Sequence, residues 1–119
     1  MILGRYERDM KRYEIIRSEN YRGYKIYVSR NYNAIMQWYC GYVKVPRSHP
    51  FFGAQYQEIE DDIEVHGGLT FSGIAIFANG YLIGFDCAHY GDSPEVQNEE
   101  YTLNECKKIV DQLIEIEKS

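Results

Sequence analysis

The chain has 119 residues, the size of one domain, and its 45% hydrophobic and 26% charged content is enough to bury a core without disulfide staples. Its net charge of −5 is unevenly spread: residues 1–30 carry eight Lys/Arg against four Asp/Glu, whereas residues 58–119 carry three against fourteen. A net acidic chain is a poor general binder of nucleic acid, and no apolar run is long enough to span a bilayer, so neither is an expected partner.

Met1–Arg5 opens no signal peptide, and the three cysteines (Cys40, Cys87, Cys106) are an odd count without a CxxC pair. Reduced thiols in the cytoplasm are therefore the expectation. No linker or repeat interrupts the sequence, which reads as one α+β domain over residues 1–119. Twelve tyrosines point to a sheet with a half-exposed face, where the ring packs and the hydroxyl stays hydrated.

In chain order, residues 12–17 and 23–28 read as two strands around a polar turn at 18–22. Residues 34–45 form a longer aromatic strand ended by Pro46, followed by an irregular Pro/Ser/His/Gly stretch to residue 54. The alternation in residues 62–66 predicts another strand, broken by Gly67-Gly68. Residues 71–78 and 81–87 then form a hairpin whose Asn79-Gly80 pair favours a two-residue type I′ turn. That turn sets Ile76 opposite Ile83 and Ile74 opposite Phe85, and it puts Phe85, Cys87 and His89 on one face. A helix closes the chain: Thr102 with Glu105 makes a capping-box pattern, and Cys106, Ile109, Val110, Leu113 and Ile114 share one face. The expected architecture is a mainly antiparallel sheet of about five or six strands covered by this C-terminal helix.

The three histidines each sit at a strand end or in a Gly/Pro-containing loop: His49 in Val45–Pro50, His66 in Val65–Thr70 and His89 in Gly84–Asp92. The spacing of Cys87 and His89 projects both to one side of an extended strand, and His66 and His49 complete a His₃Cys set suited to zinc. Asp86 is a further ligand candidate, with Asp92 and Thr70 as alternates or as groups that orient the imidazoles. Two metal-free alternatives stand beside this one. A hydrogen-bonded polar cluster would brace the loops, and Cys87 with a histidine and Asp86 or Asp92 has the residue types of a nucleophilic site. The backbone of Gly67 and Gly68 is a candidate anion cradle.

Three motifs, GY-x-x-VP-x-x-HP-x-x-G from Gly41 to Gly53, VHGGLTF from Val65 to Phe71 and GFDCAHYGD from Gly84 to Asp92, resemble those of small proteins common in phage and prophage genomes. The resemblance implies that the three histidines, Asp86 and Cys87 are a shared polar set. It also implies a class of function: a phage protein acting in the bacterial cytoplasm to disable host defence, as anti-CRISPR proteins do by binding a CRISPR effector nuclease. The expected protein is then a zinc-stabilised inhibitor that works by direct protein binding and not as an enzyme. Its acidic half would dock on a basic surface. The alternatives are a metal-dependent hydrolase of a small phosphorylated or acylated substrate and a sponge for a nucleotide signal, the latter disfavoured by the acidic stretch at 58–66.

Overall fold

The computed structural model describes residues 12–119; residues 1–5, read for a signal peptide, lie outside them. Five strands form one antiparallel sheet: β1 (Arg12–Tyr21), β2 (Tyr24–Tyr32), β3 (Gln37–Lys44), β4 (Phe71–Ala75) and β5 (Gly80–Asp86), in the order β1-β2-β3-β5-β4. A one-turn helix α1 (Tyr56–Ile59) precedes β4, and the C-terminal helix α2 (Glu99–Lys118) packs across β2 and β3. This is the α+β architecture that the hydrophobic periods predict. Among the described residues no helix is long and apolar enough to cross a membrane.

The primed hairpin turn lies elsewhere than expected. Arg22 and Gly23 both take positive φ, +51° and +89°, and join β1 to β2 in a two-residue turn whose twist matches the flanking strands. The β4–β5 connection is longer. Ile76–Ala78 form a 3₁₀ turn capped by Asn79 at φ +49°, so Ile74 pairs with Tyr81 and not with Phe85. The gain from this departure is visible in Phe77, whose ring is carried over the sheet face away from α2 onto Tyr27 and Tyr42, at 5.3 and 5.7 Å. These edge-to-face contacts add stabilisation to the 3₁₀ conformation beyond the local preference of Asn-Gly.

The face under α2 holds the main core, with Ile26, Val28, Val43, Ile83, Phe85, Ile109, Val110 and Leu113 essentially inaccessible. Gly41 sets how closely the helix approaches: a Cβ there would lie 2.6 Å from Cys106 Sγ. The helical stripe read from the sequence is the buried one, except that Ile114 is only partly covered.

Two further expectations are corrected. The helix begins three residues before Thr102, at Glu99, because Asn98 Oδ1 accepts the Tyr101 N–H at 2.9 Å and caps it. Thr102 instead returns a hydrogen bond to the Asn98 carbonyl at 2.8 Å. Residues 62–66 are not a strand. Ile63 is buried, but Glu64 pairs with a side chain: its N–H donates to Gln112 Oε1 at 2.7 Å and its carbonyl accepts from Gln112 Nε2 at 2.8 Å. The glutamine amide satisfies the backbone as a neighbouring strand would, so alternation appears without a ladder.

Candidate functional site

Two tight turns and the first turns of α2 build the polar cluster. In the first turn Gly68 N–H donates to the Val65 carbonyl at 2.9 Å, with Gly67 at φ +68°. In the second, Asp92 N–H donates to the His89 carbonyl at 2.8 Å, with Gly91 at φ +92°. Side chains with a Cβ take these left-handed conformations at a cost, which is why glycine stands at both turns.

The turns bring His66, His89 and Asp92 together, with one ligand atom from each inside 4.8 Å of the others. Asp92 Oδ2 is the shared centre. It accepts from His66 Nε2 at 2.9 Å, from the His89 backbone N–H at 2.9 Å and from His89 Nδ1 at 3.2 Å. Burial works to raise the Asp92 carboxyl, but the hydrogen bonds from His66 and His89 and the attraction of His66 outweigh it. The group is held below its ordinary value and stays ionised. His66 is tied to α2 twice: Tyr101 Oη lies 2.8 Å from its Nδ1, and its backbone N–H donates to Glu105 Oε1 at 2.8 Å. Glu105 is itself nearly buried and its other oxygen meets Lys108 Nζ at 2.9 Å.

His89 is the accessible member, with 38% of its side chain exposed. Its ring lies against the bare Cα of Gly67, where a Cβ would come within 2.6 Å of Nε2 and 2.8 Å of Nδ1. Gly67 therefore fixes the position of His89 by leaving room for it. Asp86 Oδ1 stands 3.6 Å from His89 Nδ1, and Thr70 Oγ1 donates to Asp86 Oδ2 at 3.1 Å. Thr70 and Asp86 thus border the cluster as one hydrogen-bonded pair.

Three expected ligands are outside the His66–His89–Asp92 group: Asp86 borders it, and His49 and Cys87 lie elsewhere. His49 is 3% exposed and uses both ring nitrogens elsewhere. Its Nδ1 accepts the Phe51 N–H at 3.0 Å, so Nε2 carries the proton that goes to the Leu113 carbonyl at 2.8 Å. It fastens the 46–54 loop to α2. Cys87 and His89 also part company: β5 ends at Asp86, so Cys87 enters the core at 3% exposure while His89 swings out to solvent. Burial pushes the Cys87 thiol up to about 12, only partly offset by contact with Thr102, so the free thiol is protonated at neutral pH. The expected anion cradle at Gly67 and Gly68 is not what the turn forms: the Gly68 N–H goes to the Val65 carbonyl, and the Glu105 carboxylate meets the N–H of His66, the residue before the pair.

Tyr101 and Glu105, which hold His66, were not anticipated from the sequence. The signal was present in their spacing: Tyr101, Glu105 and Lys108 fall on one helical face beside the apolar stripe. No protein-family model, curated protein or solved structure matches this chain.

Proposed function

We propose that the protein is a binding domain in which His66, His89 and Asp92 take one zinc-class ion that pins the 65–68 and 89–92 turns to α2. The observation that carries this reading is the pair of separations around Asp92 Oδ2, 2.9 Å to His66 Nε2 and 3.2 Å to His89 Nδ1. Two donors at zinc-ligand distance on a tetrahedral ion lie about 3.3 Å apart, close to both of these separations, and one ligand atom of each of the three residues lies within 4.8 Å of the others. The donor chemistry fits as well, since two imidazoles and an ionised carboxylate suit zinc. Tyr101 supports the change of tautomer that binding requires. Its hydroxyl either donates to His66 Nδ1 or accepts from it, which frees Nε2 from its proton. A bound ion would supply cross-linking between segments that share few other bonds.

The partner side of the reading rests on charge and on the motif resemblance. Glu58, Glu60, Asp61, Asp62 and Glu64 are all exposed, forming an acidic patch at α1 and the turn after it. Such a patch suits a basic protein surface of the kind that grips nucleic acid, and a host defence complex such as a CRISPR effector nuclease is the proposed target. The test is inhibition of a purified effector nuclease by the purified protein. Inhibition that weakens with salt and is lost in the pair E60K/D61K supports the reading. Undiminished inhibition by that pair refutes the acidic contact, and no inhibition at any stoichiometry refutes that target. His66→Ala is expected to lower thermal stability more than it lowers inhibition.

One observation favours a second reading. His89 is half-exposed with its ring oriented by Asp92, the arrangement of a general base, so a metal-dependent hydrolase acting on a phosphorylated or acylated substrate is the alternative. Zinc-dependent turnover of p-nitrophenyl phosphate or p-nitrophenyl acetate that disappears in His89→Ala would select it.

A further inference from the structure

A cavity of about 800 Å³ opens at the end of the sheet where β3 finishes and the β4–β5 connection begins, and it shares no residue with the His66–His89–Asp92 cluster. Its size falls within the roughly 300–1,000 Å³ typical of small-molecule sites. One wall is aromatic: the Phe52 and Tyr81 rings meet at 5.5 Å and a tilt of 57°. Val45, Pro46 and Ile74 extend that wall with apolar surface.

Charge gives the cavity a chemical preference. Lys44 and Arg47 are the only Lys/Arg between Arg30 and Lys107, and both line it. Among the described residues neither forms an ion pair; Arg47 instead lies over the Phe52 ring at 5.6 Å, and the Lys44 stem runs across the side-chain-free Gly80. An acidic chain has thus gathered its two mid-chain cations at one opening and left both uncompensated.

We infer that this cavity binds a small aromatic anion, a flat ring carrying a carboxylate or phosphate group. The ring packs against Phe52 and Tyr81, and the anionic group meets Arg47 and Lys44. Cation–π contact already holds the Arg47 guanidinium flat, and its planar fork matches carboxylate and phosphate oxygens.

The test is an NMR titration of the intact, isotope-labelled protein with indole-3-acetate and with phenyl phosphate, each paired with its uncharged counterpart, indole or phenol. Saturable amide shifts are expected at Phe52, Gly53, Gly80 and Tyr81 with at least one anion. For probes this small the dissociation constant should be on the order of 0.1–1 mM. The tighter of the two anions identifies the head group. The uncharged counterparts should bind about tenfold more weakly, and Lys44→Ala and Arg47→Ala should each reproduce that loss. Both side chains lie outside the buried core, so these variants keep the fold. Absence of shifts at these residues with both anions overturns the inference. So does equal affinity for charged and uncharged probes, or unchanged affinity in the Lys44 and Arg47 variants.

Discussion

Replacing Gly67 by alanine tests whether that glycine is the seat of His89. The substitution acts twice. It places a Cβ at φ +68°, a conformation costing about 1–2 kcal/mol for a non-glycine residue, and it drives that Cβ to within 2.6 Å of His89 Nε2. The ring cannot stay, and its 3.2 Å contact with Asp92 goes with it, a loss of about 1–2 kcal/mol for a hydrogen bond to a charged acceptor. Gly67→Ala should therefore destabilise by about 2–4 kcal/mol. Gly68 supplies the control, since it shares the left-handed backbone at φ +82° but has open space where the Cβ would go. Gly68→Ala should cost about 1–2 kcal/mol, the strain alone. Urea unfolding with unchanged slope gives both numbers. In a His89→Ala background the two substitutions should become equal, because the clash is gone. Equal losses in the wild-type background, or a Gly67→Ala loss indifferent to His89, would refute the seat.

Other outcomes follow from the same geometry. His49→Ala should lower stability by about 2–4 kcal/mol in urea unfolding, because Phe51 N–H loses its acceptor in a buried site, while leaving metal stoichiometry unchanged. Asp92 titrates below its unfolded value, so its contribution is fully present above the ordinary carboxylate range and is lost as pH falls through its depressed folded value. The stability gap between wild type and Asp92→Asn, followed by urea titrations at acid pH, should accordingly shrink as pH falls below about 4; a gap that grows there on acidification would contradict the sign. Iodoacetamide at pH 8 should leave the folded protein unmodified by mass spectrometry, since burial raises all three thiols, Cys40 to about 11 and Cys87 to about 12. Rapid single labelling at Cys87 would restore the nucleophile reading.

The fold was legible where a single physical pattern sufficed. Period-3.6 burial marks Cys106, Ile109, Val110 and Leu113, and period-2 aromatic runs mark β2 and β3. It was illegible where a distant side chain decides local structure. The β4–β5 turn departs from the preference of Asn79-Gly80 and seats Phe77 on Tyr27, and Gln112 completes the backbone of Glu64 in place of a strand. The site was read in part for the same reason. His66, His89 and Asp92 stand together because two glycine turns, visible as Gly67 and Gly91, converge on α2. Cys87 belongs beside His89 only if β5 continues past Asp86, and the strand's end lies in pairing that no local spacing encodes. His49 shares the residue type and the loop setting of a ligand, yet its acceptor is the carbonyl of Leu113, 64 positions away.

Zinc uptake by the purified, chelator-stripped protein bears most directly on the proposed metal centre. Titration of zinc against a competing chromophoric chelator should give one ion per chain, with a rise in melting temperature. His66→Ala, His89→Ala and Asp92→Asn should each weaken binding at least tenfold, while Cys87→Ser and His49→Ala should bind as wild type does. Uptake well below one ion per chain, or equal uptake by wild type and His66→Ala, would contradict the account and leave the cluster as a hydrogen-bonded brace.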